Sequence, residues 1–281
     1  EHDPVEIWES VRDCLIEVAG KFDFSEIRAI GITNQRETTV LWERSSGKPV
    51  GPAISWQCNR SQAIVDRWEP LADEIARKTG LVNNTYFSAS KIVWLLENDP
   101  SLRARAENGE LCFGNINTWI LWNLTGGAEH ATDSSNAGRT MFFDVRRIAW
   151  DEDLMAAMGV PPQILPRVRS SDASFGMAVA PKEAFHSPVE ITASIGDQMS
   201  ALFGQACFRR GEAKCTIGTC LNLVAYTDEY QEPAGGILPA IASDRAGYVT
   251  YELEGGVYVA GSVNEWLIEQ LGVAGSPEDV G

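Results

Sequence analysis

Residues 30–42 read Ile30-Gly31-Ile32-Thr33-Asn34-Gln35-Arg36-Glu37-Thr38-Thr39-Val40-Leu41-Trp42, two apolar runs separated by a polar, charged turn. The flanking residues are the β-branched and aromatic types that suit a sheet. Between them, Asn34 to Glu37 set a guanidinium and a carboxylate side by side where a strand meets solvent. A polyhydroxylated ligand needs such a pair, because each hydroxyl both gives and accepts a hydrogen bond and a charged partner roughly doubles its strength. The competing reading of the same residues is a plain hairpin whose exposed ion pair is worth ~0–1 kcal/mol.

The residues around this stretch bound what it can belong to. The chain has 281 residues, 44% hydrophobic and 22% charged, an ordinary soluble composition with enough length for two cores. A net charge of −16 argues against nucleic acid or an anionic membrane surface as partner. The six cysteines (Cys14, Cys58, Cys112, Cys207, Cys215, Cys220) form no C-x-x-C pair and have no neighbouring His, so zinc and redox roles are poorly supported and buried reduced thiols are expected. No apolar run is long enough to span a bilayer and no signal peptide is visible, which makes the cytoplasm the default. Because the chain starts at Glu1 rather than Met, a preceding segment is expected.

Strand and helix patterns alternate along the chain. Asp3 caps a helix with Pro4 in its first turn, and Trp8, Val11, Leu15 and Val18 recur at helical spacing. A strand is expected over Ile27 to Thr33, another at Ile54 to Trp56, a helix from Gln62 to Thr79, and a second helix that Asn98-Asp99-Pro100 ends. Leu111 to Gly114 and Ile116 to Leu124 repeat strand then helix, Asp133 to Arg139 reads as a polar loop, and Met141 to Phe143 as a short strand. Such alternation predicts an α/β architecture.

Further candidates carry chemistry. Trp56 is either core or an indole face covering the C–H side of a polyol. Tyr86, just ahead of a helix, is either a buried ring or a phenol reaching a pocket. In Val189 to Gly204 a strand, Gly196 and Asp197 lead into a helix; Asp197 is either an N-cap worth ~1 kcal/mol or a carboxylate at the strand end where open α/β sheets place ligands. Past Gly204 the texture becomes a β-meander, with strands at Glu212 to Ile217, Leu221 to Tyr226, Tyr248 to Leu253 and Val257 to Ala260, and a helix after Gly261. Thr216-Ile217-Gly218-Thr219 is either a hairpin turn or a phosphate cradle.

Taken together, Thr33-Asn34-Gln35-Arg36-Glu37-Thr38, Trp56-Gln57-Cys58, Tyr86-Phe87-Ser88 with Lys91-Ile92-Val93-Trp94, and Gly196-Asp197-Gln198 closely resemble the FGGY carbohydrate kinases, and the string from Thr33 to Thr38 favours their glycerol kinase branch. The resemblance runs along essentially the whole chain. It implies a ribonuclease H-like first domain of the actin and sugar kinase type over 1–206 and the start of a similar second domain over 207–281. It further implies ATP and Mg²⁺ as cofactors and ATP-dependent phosphorylation of glycerol to sn-glycerol 3-phosphate. A homo-oligomer is left open, and no metal ligand is assigned.

Carried over by position, Arg36, Glu37, Tyr86 and Asp197 match residues that bind substrate hydroxyls, Trp56 matches the hydrophobic wall, and Gln198 a further polar contact. Asp197 matches the catalytic base. Gly218 and Thr219 match the second-domain phosphate loop, which begins at Thr216, and Gly261 and Glu265 fall where nucleotide contacts are expected. This sequence also departs from the pattern. The family's N-terminal phosphate hairpin has no counterpart before Glu1, most of the second domain is missing after Gly281, Asn222 stands where a Phe is usual, and Glu265 where a Gln is usual. The chain by itself is therefore expected not to complete phosphoryl transfer. Another polyol or sugar kinase of the family, or a non-catalytic polyol-binding remnant, are the rival readings.

Overall fold

In the computed structural model, which describes residues 1–22, 26–218, 220–257, 259–276 and 279, the run at 30–42 does not close on itself as a hairpin. Strand β1 (Ile30–Asn34) pairs in parallel with β9 (Val189–Gly196), and β8 (Met177–Ala178) adds an antiparallel edge. Strand β2 (Val40–Glu43) pairs with β3 (Leu111–Gly114) in a separate ladder. The two runs pair with different strands but bury Ile32 and Trp42 in one shared cluster. Ile32 packs with Ile191 beneath β1, and Trp42 is fully buried with its ring edge-on to Trp119 and Trp122. The charged turn thus crosses between two ladders, and Arg36 and Glu37 are 3% and 2% exposed instead of lying at the solvent edge.

Helix α1 (Pro4–Ala19) starts as its cap predicts, with Asp3 Oδ1 accepting from the Val5 N–H at 2.7 Å, and its Ile7, Trp8, Val11 and Leu15 pack on the same cluster as Ile32. The single helix expected over 62–79 is broken into α2 (Gln62–Arg67), a 3₁₀ turn (Glu69–Leu71) and α3 (Ala72–Thr79). Pro70 is the cause, since it lacks an N–H and its ring crowds the preceding turn. As expected, α4 (Ser88–Asn98) stops at Asn98-Asp99-Pro100, and Pro100 then opens α5 (Pro100–Glu107), where its missing N–H is harmless and Asp99 caps. Strand β3 leads into α6 (Ile116–Leu124) as expected.

The stretch expected as a polar loop at 133–139 is instead buried. It comprises the end of β4 (Ala131–Asp133), parallel to β7 (Arg167–Arg169), followed by α7 (Ser134–Ala137). Asp133 accepts from Ser135, Asn136 and Ser171, and Asn34 and Asn136 exchange amide hydrogen bonds at 2.9 and 3.1 Å. These polar side chains satisfy one another, which removes the desolvation cost that made a loop the natural reading. The short strand expected at Met141 to Phe143 is shifted to β5 (Phe143–Asp144), paired with β6 (Ala149–Trp150), before α8 (Glu152–Met158).

After β9 and α9 (Asp197–Gly204), strands β10 (Ala213–Ile217), β11 (Leu221–Tyr226), β12 (Leu238–Arg245) and β13 (Tyr248–Val257) form an antiparallel sheet in the order β10-β11-β13-β12, followed by α10 (Gly261–Glu269). This is not the simple meander expected. Strand β12 was hidden by the Pro and Gly residues around it, and β13 continues through Gly255 and Gly256, whose backbones pair with Leu223 and Asn222. All six cysteines are free, but only Cys112 and Cys207 are buried, which corrects the expectation of buried thiols throughout. Among the described residues no helix is long and apolar enough to cross a membrane.

Candidate active site

Strands β1 and β9 are parallel neighbours with Asn34 opposite Gly196, so the residues that follow each strand leave the same edge of the sheet. That register sets Arg36 Nε 3.7 Å from Asp197 Oδ1. Gly196 is required by the close approach, since a Cβ there would lie 2.7 Å from Arg36 Cδ and 2.9 Å from its Cγ. The next residue, Glu37, adopts φ +60, a left-handed conformation uncommon for a side chain of this kind. It is held there by its carbonyl, which accepts from Ser88 Oγ at 3.0 Å and Thr39 Oγ1 at 3.2 Å, and by its carboxylate, which accepts from Arg139 Nε at 2.6 Å.

These groups face a cavity of about 210 Å³ that also takes in Trp56, Tyr86, Gln198 and Asn222. Every residue matched to substrate binding in the sequence therefore lines one space. Trp56 and Tyr86 meet edge to face, centroids 5.2 Å apart. Tyr86 is positioned from behind by Lys91, buried under the start of α4, whose ammonium donates to the carbonyls of Thr85, Tyr86 and Phe87. Burial lowers the Lys91 pKa to about 8, partly opposed by the Glu37 charge. Burial likewise pushes the Tyr86 phenol well up, reinforced by Glu37, so it stays protonated and able to donate.

Asp197 is not the N-cap of α9; that place falls to Gly196, and Asp197 Oδ1 accepts from the adjacent Gln198 N–H at 2.8 Å. Its side chain keeps 44% of its surface exposed, open to the cavity that the buried Arg36 lines. A carboxylate so placed, beside a fixed guanidinium and near two aromatic rings, can hold a hydroxyl and accept its proton.

Of the residues matched to the nucleotide, Thr216 and Gly218 line the same cavity, while Thr219 lies outside the described residues. Among the described residues nothing beyond its chain neighbours stands within 4 Å of where a Cβ of Gly218 would be, so a phosphate can approach this backbone closely. The Gly261 N–H donates to the Gly218 carbonyl at 2.8 Å, which ties the start of α10 to the same loop. Glu265 is exposed on α10 and is not among the cavity's lining residues. Among the described residues no group of three or more His, Cys, Asp or Glu could hold a metal ion. Mg²⁺ fits here only as it commonly binds, on nucleotide phosphates with one or two carboxylates.

The sequence reading missed the charges behind the pocket. On β13, Thr250, Glu252 and Glu254 alternate onto the buried face. Glu254 Oε1 accepts from Arg36 Nη2 at 2.7 Å, and its Oε2 lies 3.2 Å from Arg139 Nη1. Lys214, in the same rung of the sheet through Val224, donates to Gln198 Oε1 and, at 2.9 Å, to Thr216 Oγ1. Glu252 is fully buried, and among the described residues neither of its carboxylate oxygens has a hydrogen-bond partner. Burial, with the adjacent Glu254 charge, raises its pKa to about 8, so it is largely protonated at neutral pH. The available signal was acids at alternate positions of a strand, on the face that should be apolar.

Residues 1–204 match the family model "FGGY family of carbohydrate kinases, N-terminal domain". The chain belongs to the FGGY family of carbohydrate kinases, with its ribonuclease H-like fold of the actin and sugar kinase type. Among its relatives, a glycerol kinase of Carboxydothermus hydrogenoformans is 45% identical over 284 residues and one of Halorhodospira halophila 47% over 288, each match covering 99% of this chain. The chain spans 57% and 56% of those relatives' lengths. The crystal structure of Plasmodium falciparum glycerol kinase with ADP superposes with a TM-score of 0.92 at 35% identity, covering 99% of this chain and 56% of that one. A xylulose kinase of Lactobacillus acidophilus, at 21% identity, TM-score 0.85, and coverage of 99% and 55%, shares the fold.

Proposed function

We propose that this chain contributes the polyol site and part of the nucleotide site of an ATP-dependent glycerol kinase that makes sn-glycerol 3-phosphate. The observation that carries the reading is the meeting of Asp197, Arg36, Glu37, Trp56 and Tyr86 around one small cavity; the identities with glycerol kinases support it. Residues 1–206 act as the polyol-binding unit and 207–281 open the nucleotide-binding one. A cytoplasmic location, where ATP is supplied, goes with this reading.

Arg36, Glu37, Tyr86 and Gln198 orient the hydroxyls, and the Trp56 indole covers the C–H side. An alcohol is a poor nucleophile at neutral pH, so the Asp197 carboxylate takes its proton as the oxygen attacks phosphorus in line. Thr216, Gly218, Thr219, Gly261 and Glu265 hold the nucleotide. Bound ATP with Mg²⁺ supplies the γ-phosphoryl group and the charge neutralisation that its transfer needs.

Glycerol-dependent ADP formation by the protein carrying this sequence is the test. Asp197→Asn keeps the shape and removes the base, and is expected to lower kcat by ~10²–10⁴. An unchanged kcat ends the role of Asp197, and no glycerol-dependent ADP formation in the wild type ends the reading. Asn222 favours one second reading, a kinase for a larger polyol, because its amide lines the cavity and can bond an extra hydroxyl. A panel of polyols in the same assay decides it, with a pentitol outperforming glycerol as the outcome that selects it.

A further inference from the structure

Trp56 and Tyr86 also line a second cavity, of about 400 Å³, whose other walls are Gln57, Asn59, Gln62, Asn84 and Thr85. None of these five lines the first cavity. Its volume lies in the range of small-molecule sites. Among the described residues no Lys, Arg, His, Asp or Glu lines it, so a charged ligand would leave water without gaining a counter-charge.

What the walls offer instead are amides, which both donate and accept. Asn59 Oδ1 accepts from Thr85 Oγ1 at 3.0 Å and Asn84 Oδ1 from the Tyr86 N–H at 2.9 Å, which leaves both NH₂ groups without a protein acceptor among the described residues. Gln62 spends one N–H on Asp66 at 2.8 Å and keeps its carbonyl oxygen, while the Gln57 amide has no side-chain partner among the described residues. Two aromatic rings supply apolar surface for C–H groups.

We propose that this cavity is a second binding site, for a neutral hydroxyl-rich small molecule such as a polyol or sugar, separate from the Asp197 cavity and sharing only its aromatic wall. It does not depend on the phosphoryl-transfer reading, whose failure would show in ADP formation and leave this site untouched.

Sorbitol is the probe, followed by saturation-transfer NMR on the full protein. Saturable binding is expected, retained in Asp197→Ala and weakened about tenfold in the Gln57→Ala/Asn84→Asp double variant, the loss of one or two hydrogen bonds. Asn84→Asp keeps the oxygen that the Tyr86 N–H uses, and Gln62→Ala, at an exposed position on α2, is a second variant expected to weaken binding in the same direction. The proposal is overturned if no saturable binding occurs, if both sets of outer variants bind as the wild type does, or if Asp197→Ala abolishes binding, since sorbitol would then occupy the inner cavity.

Discussion

Arg36 Nε and Asp197 Oδ1 stand 3.7 Å apart although the two residues come from distant parts of the chain, because the strands that precede them run parallel with Asn34 facing Gly196. The pair is asymmetric. Arg36 is buried and fixed by Glu254, whereas Asp197 remains open to the cavity. In the proposed function, a rigid cation beside an accessible carboxylate orients a hydroxyl and leaves the carboxylate free to take its proton.

This closeness depends on a missing side chain. Gly196→Ala would put a methyl within 3 Å of the Arg36 stem, in a conformation (φ −61) that alanine accepts easily. Arg36 or the start of α9 must then move, and a shift near 1 Å at the reacting groups costs about 10²-fold. On the proposed function, kcat/KM for glycerol is expected to fall by that order while the protein still folds, as thermal melting would show. Wild-type kinetics in this variant would mean that the Arg36–Asp197 spacing does not matter.

Glu254 holds two buried guanidinium groups. Burial works against its charge, and Arg139 and Arg36 overcome it, drawing its pKa down to about 2. Glu254→Gln leaves those two cations with only Glu37 and the half-exposed Asp197 as counter-charges, and breaking a buried pair in this way costs ~3–5 kcal/mol. Urea denaturation should show that loss, and a change below ~1 kcal/mol would indicate that the network is solvated.

Glu252 predicts a pH dependence with a definite sign. Its folded pKa is raised to about 8 from the ordinary 4.5, through burial and then Glu254, against the opposing charges of Arg36, Arg139 and Lys214. Between those two pH values the unfolded chain has released this proton and the folded chain retains it, so stability falls as pH rises through the window. Glu252→Gln removes that slope and should be more stable than the wild type at pH 8, by ~1 kcal/mol or more. Denaturant midpoints at pH 6 and pH 8 for both proteins check it; parallel changes would place the titration elsewhere.

Trp56 contributes an apolar wall and an edge contact to Tyr86, a contact of a kind worth ~0.5–1.5 kcal/mol. On the proposed function, in which the ring covers glycerol in ground state and transition state alike, Trp56→Ala should raise KM for glycerol about two- to tenfold with a smaller change in kcat. Steady-state kinetics separate the two parameters, and a kcat loss larger than the KM rise would move Trp56 into the chemistry.

The residues that the fold gathers around the first cavity stood out in the sequence because they carry unusual chemistry at strand ends. Arg36 and Glu37 follow β1, Asp197 follows β9, and both positions are where parallel sheets leave backbone edges and side chains free for ligands. The face of β13 was not readable. Glu252 and Glu254 sit where periodicity demands apolar residues, and it is Arg36 and Arg139, from other elements, with Lys214 in the same sheet, that make Glu254 tolerable there. The polar run Asp133 to Asn136 misled in the same way, its groups being satisfied by residues as remote as Asn34 and Ser171.

By itself the amino-acid sequence determined the local elements and the identity of the reactive groups. Caps, apolar periodicity and strand ends act over a few residues, so Asp3, the β3 to α6 unit and the β9 to α9 turn could be read directly. Only the tertiary structure decided that residues 30–42 cross between two ladders, that their charges are buried, and that Glu254 holds Arg36 beside Asp197. Register and charge compensation join residues far apart along the chain, and the cost of burying an ion depends entirely on what faces it once the chain has folded.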